Sequence, residues 1–348
     1  MKGNDRHAGK CKNQGDTNSL PALVKGNSMF KKGDSMFKRI IAVSGLATVV
    51  LMALCLVKGI EFAYATSPCK DTSQATYQSC LFEASADYWL TIAKCDNLPT
   101  PQEVAACKAQ ARKDKRDEIQ SCEDQLNARL QICVALGGGI YNPVINPANF
   151  SSTIDNPYLP LTPGKTFIYE ATTESGTEHI EVHVTNDTKI IMGVECIVVR
   201  DTVTVNGVVA EDTLDWYAQD TDGNVWYFGE ESKEYEDGDL VSLSGSFKAG
   251  RDMALPGIVM KGDPKVGDIY RQEYAIGEAE DMGQVLSLNA SATVPYGSFN
   301  DCLETKDFSP AEPDVVEHKF YASGIGVVLE ETVQGGTERV ELIDITSE

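Results

Sequence analysis

The sequence predicts an α+β protein whose helices and strands form separate domains: a disulfide-stapled antiparallel helical hairpin, followed by an antiparallel β half-barrel or sandwich. Three observations predict this fold class. Six cysteines between residues 69 and 133 are spaced symmetrically, as two facing helices require. From about residue 166 onward, short β-branched and aromatic runs alternate with turn signals. The segment between the two parts is rich in Pro, Asn and Gly, which interrupt regular structure.

The composition restricts the class of protein and of partner. The chain has 348 residues, with 30 Lys+Arg and 52 Asp+Glu, so its formal net charge at pH 7 is −22. Hydrophobic residues make up 42%, enough for folded cores, which excludes wholesale disorder. The negative charge argues against nucleic acid or an anionic membrane surface as the main partner.

Residues 1–65 predict a basic leader with a signal peptide. A polar and basic stretch that ends in Lys38 and Arg39 precedes an uncharged apolar run at 40–57, and residues 63–65 form an A-x-A cleavage site. We therefore expect an exported protein, located in the periplasm, outside the cell or on its surface. The alternative is an uncleaved membrane anchor, because eighteen apolar residues just reach the spanning length. Contact with a membrane is expected only through that segment.

Residues 66–137 predict a six-cysteine helical hairpin. The separations between successive cysteines are 11, 15, 12, 15 and 11, a palindrome. Outer, middle and inner pairs consequently have the same sum of positions, as facing residues of two antiparallel helices do. This geometry selects one connectivity, and the predicted pairs are Cys69–Cys133, Cys80–Cys122 and Cys95–Cys107.

The expected helices span residues 71–94 and 101–136. Thr100 is the predicted N-cap of the second helix, Pro101 its first residue and Glu103 the other half of a capping box. Few apolar residues line the seam between the helices, so disulfides are expected to supply the missing stability. A metal site is disfavoured, because the segment contains no C-x₂-C spacing and no His.

A Pro/Asn/Gly-rich connector is expected over residues 138–165, and an acidic antiparallel β domain over residues 166–348. Residues 136–348 hold 12 Lys+Arg and 38 Asp+Glu. Asn206 and Gly207, between two β-branched runs, predict a tight hairpin. Cys196 and Cys302 are the only cysteines of this domain, and a Cys196–Cys302 disulfide is expected in an exported protein.

One strand carries three candidate metal ligands. His179, Glu181 and His183 alternate and so share one face, and two imidazoles with a carboxylate suit zinc or copper. However, alternate residues of a strand lie about 6.5–7 Å apart, which is wide for ligands of one ion. A solvent-facing strand is the favoured interpretation.

A second candidate metal site is the acidic turn formed by Asp220, Asp222 and Asn224. It resembles a calcium loop, but Gly223 comes too early for an EF-hand and no helices flank the turn. A hairpin turn is therefore favoured, with weak calcium binding as the alternative. No other cofactor is predicted.

An aromatic cluster is the candidate ligand surface. Its members are Trp216, Tyr217, Trp226, Tyr227 and Phe228. Because side chains alternate along strands, the favoured interpretation is that alternate members fill the core instead.

The predicted function is non-enzymatic: the β domain binds a small molecule or a protein, and the disulfide-stapled hairpin is a rigid arm. No G-x-S-x-G motif occurs, and every cysteine of the exported chain is expected to be paired. The alternative is a secreted carboxylate-dependent hydrolase, with or without calcium, that acts on an extracellular polymer. The abundance of acidic residues leaves it open.

Three stretches resemble a group of uncharacterised exported bacterial proteins with an all-β domain, half-barrel or sandwich-like. They are residues 156–167 (NPYLPLTPGKTF), 215–230 (DWYAQDTDGNVWYFGE) and 316–328 (VEHKFYASGIGVV). The resemblance covers roughly residues 156–331 and leaves the hairpin out. It implies export and β architecture, and no catalytic residues come with it.

Overall fold

The computed structural model describes residues 67–173 and 176–347. The predicted leader and signal peptide, residues 1–65, lie outside the described residues. Within the described ranges, neither long helix has the apolar run that a membrane span requires.

The helical hairpin consists of α1, Pro68–Asp96, and α2, Pro101–Ala135. Its three disulfides are the predicted ones, Cys69–Cys133, Cys80–Cys122 and Cys95–Cys107, with Cα–Cα distances of 5.6, 5.8 and 5.6 Å. The predicted capping box is also confirmed. The Glu103 N–H donates to Thr100 Oγ1 at 3.3 Å, and the Thr100 N–H donates to the Glu103 carboxylate at 3.1 Å. Capping therefore starts α2 at the residue that the sequence indicates.

The β domain contains seventeen strands within the described residues, preceded by a short 3₁₀ turn at Pro147–Asn149. The strands are β1 Phe150–Ser151, β2 Lys165–Thr173, β3 Gly176–Ile191, β4 Val194–Val205, β5 Val208–Asp220, β6 Val225–Glu231, β7 Glu234–Glu236, β8 Asp239–Ser242, β9 Phe247–Lys248, β10 Leu255–Met260, β11 Ile269–Arg271, β12 Glu273–Tyr274, β13 Met282–Val294, β14 Gly297–Phe308, β15 Val316–Ala322, β16 Gly326–Gln334 and β17 Arg339–Ser347.

Antiparallel pairing of neighbouring strands forms one sheet that curves into a nearly closed barrel. Strands β13 to β17 pair in sequence, β17 pairs with β2, and the sheet continues through β6 to β10. Between β10 and β13 lie β11, which pairs with β13, and β12, which pairs with β10, so the barrel is nearly closed. The predicted fold class is confirmed, and a nearly closed barrel takes the place of the half-barrel and sandwich alternatives. Closure satisfies the backbone groups that two open sheet edges would leave unpaired.

The hairpin between β4 and β5 turns at Asn206 and Gly207, as predicted. Both residues have positive φ, 54° and 77°, which is the conformation of a two-residue hairpin loop. Asn tolerates this region better than most residues, and Gly has no Cβ to oppose it.

The predicted Cys196–Cys302 disulfide is wrong. Both cysteines are free thiols, and both are buried. Cys302 lies in the main core inside the barrel, with Ile197 and Val199 of β4. Cys196 belongs to a second apolar cluster that also includes Val198. Since side chains alternate along β4, the sheet itself separates the two sulfur atoms.

The hairpin is attached to the barrel by a buried ion pair. Nη2 and Nε of Arg129, on α2, donate to the Glu280 carboxylate at 2.7 and 3.0 Å. Arg129 is 6% exposed and Glu280 4%. The Glu280 carboxylate also accepts from the backbone N–H of Gly277 at 3.0 Å. The junction is thus a specific, desolvated contact.

Candidate ligand-binding site

A cavity of about 380 Å³, partly open to solvent, lies against the inner face of the barrel. Its wall is formed by inward-facing side chains of β2 to β5 and β15 to β17, together with the segment before β2 and the loop between β15 and β16. Alternation along the strands directs every second side chain to this space.

Much of the wall is apolar. The apolar residues are Leu159, Pro160, Leu161, Phe167, Ile180, Val182, Val199, Val203, Ile325, Val327 and Val340. Branched aliphatic side chains dominate this set, so this part of the cavity offers few hydrogen-bonding groups and favours an apolar molecule.

The rest of the wall is polar and mostly acidic. The cavity is lined by Asp201, Asp215, Lys319, Glu330 and Glu338, together with Tyr169 and Tyr217. These residues interrupt the inward-facing apolar series of their strands, and they place charge next to the aliphatic wall.

The acidic residues of the cavity belong to a larger ring, which we call the carboxyl belt. Its members are Asp201, Asp215, Glu230, Glu273, Asp281, Asp307 and Glu330. Each member interacts electrostatically with the next. The last two members, Asp307 and Glu330, both form ion pairs with Lys319, whose Nζ lies 3.5 Å from each carboxylate. Lys319 interacts with three members of the belt, Asp281, Asp307 and Glu330, and also with Glu317 next to it.

Burial and mutual repulsion raise the pKa of several members of the belt. Burial, reinforced by neighbouring carboxylates, raises the pKa of Asp201 to about 7. Burial likewise raises the pKa of Asp215 to about 7, although a hydrogen bond from Tyr227 opposes it. Burial and the Asp215 charge raise the pKa of Glu230 to about 8. Near neutral pH the belt is therefore only partly ionised.

Lys319 responds to the belt in the opposite direction. Burial by itself lowers the pKa of the Lys319 ammonium, but attraction to Glu330 and Asp307 outweighs burial, so the pKa lies well above its usual value. The lysine consequently stays protonated and remains paired with those two carboxylates.

The Tyr227 hydroxyl bridges two belt members. Its oxygen lies 2.5 Å from Asp215 Oδ1 and 3.0 Å from Glu230 Oε2. A hydroxyl donates one hydrogen, so both contacts can be hydrogen bonds only if one carboxyl group is protonated. The raised pKa values of Asp215 and Glu230 agree with this requirement.

Asp201 differs from its neighbours in having an unsatisfied oxygen. Its Oδ1 exposes less than 1 Å² and has no hydrogen-bond partner among the described residues. Asp307, in contrast, accepts from Thr305 at 2.6 Å and from Gln272 at 3.1 Å. Buried polar atoms are rarely left without a partner, so this atom of the cavity wall stands out.

The predicted aromatic ligand cluster is divided between the two faces of the sheet. Tyr217 and Tyr227 face the interior and stack with ring centroids 4.8 Å apart, and Tyr217 lines the cavity. Trp216, Trp226 and Phe228 pack in the second apolar cluster on the other face. Only Tyr217 of the five residues reaches this cavity, and a role for it in ligand binding stays a prediction.

The predicted zinc or copper ligands do not converge. His179, Glu181 and His183 share a face, as the favoured interpretation required, while Ile180 and Val182 pack against the core. His179 Nε2 lies 3.4 Å from Glu181 Oε1, and His183 Nδ1 lies instead 2.8 Å from the hydroxyl of a threonine on β2.

Asp220 organises a hairpin turn, which was the favoured interpretation of the predicted calcium loop. Asp220 Oδ1 accepts from the backbone N–H groups of Asp222 and Asn224, both at 2.9 Å. Asp220 Oδ2 accepts from the Asn224 side chain at 2.8 Å and from Trp226 Nε1 at 2.7 Å. Across residues 67–173 and 176–347, no three His, Cys, Asp or Glu side chains gather in a way that could hold a metal ion.

Comparison with known proteins identifies no family for this chain. No protein-family model matches it, and no curated protein matches it. Among solved structures, a protein from Parabacteroides distasonis described as a candidate lipoprotein aligns with a TM-score of 0.31 and 12% identity, over 56% of this chain and 100% of that chain. A similarity this low supports no conclusion about fold or function.

The sequence analysis did not predict the acidic side chains of the cavity, although the sequence of β4 contains a signal for one of them. Residues 197, 199, 201 and 203 share one face of that strand, and Asp201 is the acidic residue among Ile197, Val199 and Val203. A lone acidic residue in an apolar series is a recognisable anomaly, because an isolated charge is costly to bury.

Proposed function

We propose that this protein is an exported, non-enzymatic binding protein whose barrel holds a small, largely apolar molecule. The observation that carries the proposal is the internal cavity of about 380 Å³ with its aliphatic wall. Pockets for small ligands typically have volumes of about 300–1,000 Å³ and combine apolar walls with a few polar groups. The cavity is at the small end of that range.

Export is supported by the disulfides of the hairpin. Three disulfides in one short segment persist in oxidising compartments and are rare in the cytosol. The signal peptide predicted from residues 1–65 agrees with this location.

The hairpin is proposed to act as a rigid arm that contacts a protein partner. The Arg129–Glu280 pair holds its base against the barrel. On the outer face of α1, Phe82 is 74% exposed and Trp89 is 65% exposed. Seven residues separate them, which places both side chains on one side of the helix.

The hydrolase alternative has less support. It requires two carboxyl groups directed at one substrate, and Asp215 and Glu230 are the pair that Tyr227 brings together. However, Asp215 lines the internal cavity, whereas Glu230 lines a different cleft, beside Trp216 and Phe247. The two carboxyls therefore face separate spaces. Asp201, Asp215 and Glu330 do share the cavity, but its volume of about 380 Å³ is small for a polymer substrate.

Filling the cavity tests the proposed binding function. The neutral fluorescent probe N-phenyl-1-naphthylamine is titrated into the wild type and into Val182→Trp, whose indole would occupy the cavity. We expect the wild type to bind the probe, and the variant to lose at least about tenfold in affinity because its indole excludes the probe.

The matched control is Glu181→Trp, which places the same side chain one residue away on the solvent face of β3. It should bind the probe as the wild type does. Absence of probe binding to the wild type, or equal binding to Val182→Trp, would reject the cavity as the ligand site.

A further inference from the structure

We infer that the ligand of the internal cavity carries a protonated amine, or a comparable organic cation, that lies against Asp201. This inference rests on the proposed binding function and names the chemical class of its ligand. The apolar part of such a molecule would pack against the aliphatic wall, and its cationic end would reach the carboxyl belt.

The charge of the cavity wall favours a cation. Three carboxyl groups of the belt, Asp201, Asp215 and Glu330, line the cavity, and Lys319 is the cation beside them. Gathering like charges in a poorly solvated space is unfavourable, and each added cation relieves part of that repulsion. A cationic ligand would therefore gain interaction energy that a neutral molecule of the same shape would not.

An unsatisfied oxygen of Asp201 also favours a cationic ligand. Its Oδ1 is buried and has no hydrogen-bond partner within the described residues, and Asp201 forms part of the cavity wall. A rotation of the carboxyl group would turn this oxygen toward the cavity, where an ammonium N–H would donate a charge-assisted hydrogen bond, which is stronger than a neutral one.

The cavity wall does not suit an anionic ligand. An anionic ligand would need a free cation in the wall, but Lys319 already lies between Asp307 and Glu330. Glu338 also lines the cavity and is an exposed residue at its edge, with Glu178 as an electrostatic neighbour. Negative potential there repels anions and attracts cations.

The experiment compares three ligands of equal chain length by isothermal titration calorimetry at pH 7: octylammonium, octanol and octanoate. We expect octylammonium to bind the full-length protein about ten- to a hundredfold more tightly than octanol, and octanoate to bind most weakly. Equal binding of octylammonium and octanol, or tightest binding of octanoate, would overturn the inference.

The variant Asp201→Asn keeps the shape of the side chain and removes its charge. Its affinity for octylammonium should fall to about that of octanol, which removes the preference for the cation. Asp187→Asn is the matched control, because it makes the same change at an exposed residue of β3. Unchanged octylammonium affinity in Asp201→Asn would contradict the assignment to Asp201.

The two proposals fail in different ways. Binding of N-phenyl-1-naphthylamine without preference for octylammonium would reject the cationic ligand and keep the binding function. Failure of the probe and of all three octyl compounds to bind would reject the binding function itself. The wild-type comparison is decisive even if Asp201→Asn does not fold.

Discussion

Along β4, consecutive side chains face opposite sides of the sheet, and this alternation decides two features of the protein. Val199 and Asp201 face the interior, whereas Cys196 and Val198 lie in the second apolar cluster. One side of the strand therefore supplies an acidic group to the cavity, and the other side buries a thiol that cannot reach Cys302. The number of cysteines predicted a disulfide between Cys196 and Cys302. This prediction was wrong, because a count contains no information about which face of the sheet each residue occupies.

The free thiols lead to a test by peptide mapping. The protein is denatured without reductant and treated with iodoacetamide, and we expect alkylation of Cys196 and Cys302 but of none of the six hairpin cysteines. The reason is that the hairpin sulfurs are joined in disulfides, while the two barrel thiols are only buried. Burial raises the pKa of Cys196 to about 12, so the native protein should resist the reagent at this residue.

A sample reduced before alkylation is the control, and it should label all eight cysteines of residues 67–347. Recovery of a peptide in which Cys196 is linked to Cys302 would contradict the structure.

At the level of elements, the stability of the hairpin depends on its disulfides, and its attachment to the barrel depends on one joint, the Arg129–Glu280 ion pair. Its buried positions are mostly cysteines and small residues, with Ile132 as the buried large aliphatic side chain. Each disulfide typically contributes about 2–4 kcal/mol, which offsets this small core. The Arg129–Glu280 pair then determines where the arm lies on the barrel.

The joint leads to a prediction about stability. Arg129→Ala should lower the free energy of unfolding by about 3–5 kcal/mol, because it leaves the Glu280 carboxylate buried without its cation. Urea unfolding followed by far-UV circular dichroism measures the change.

Arg112→Ala is the control, since Arg112 is exposed on the same helix, and it should change stability by less than about 0.5 kcal/mol. The double variant Arg129→Met/Glu280→Met should recover much of the loss, because it buries no unpaired charge. Equal stability of the Arg129→Ala and Arg112→Ala variants would show that the joint contributes nothing.

At the level of the whole molecule, closure of the sheet brings the carboxyl belt together. Asp201 of β4 interacts with Glu330 of β16, and Glu273 of β12 interacts with Glu230 of β6, although the strands of each pair are distant in sequence. The belt costs stability whenever its members ionise in the interior. Stability of the barrel and the proposed binding of a cation would therefore depend on the same groups.

The belt gives the protein an unusual dependence of stability on pH. Asp201 and Asp215 have pKa values of about 7 and Glu230 about 8 in the folded protein, against 3.8 and 4.5 for these groups unperturbed. Between those values the folded state holds more protons than the unfolded state, so stability decreases as pH rises. Each group contributes at most about 1.4 kcal/mol per pH unit within this window.

We therefore expect a higher urea midpoint at pH 5 than at pH 8. Asp201→Asn should make the dependence shallower, because it removes one of the titrating groups, and Asp187→Asn should leave it unchanged. A midpoint that rises from pH 5 to pH 8 would contradict the raised pKa values of the belt.

Local patterns along the chain were sufficient to predict the helical hairpin and the turn between β4 and β5. Palindromic spacing predicted three disulfides, Thr100 and Glu103 predicted the start of α2, and Asn206 and Gly207 predicted the turn between β4 and β5. These features depend on residues near one another in sequence, or on the fixed periodicity of a helix, so no knowledge of distant contacts was needed.

Closure of the barrel, the cavity, the carboxyl belt and the joint at Arg129 became visible only in three dimensions. Each of them depends on which strands meet after folding, and the acidic residues involved are a minority among many in this domain. Alternation along a strand shows that Asp201 and Val199 share a face, but not that this face is turned inward or which groups lie opposite. The inward face and the groups opposite it are determined by pairing between strands that are distant in sequence, and a local pattern contains no information about that pairing.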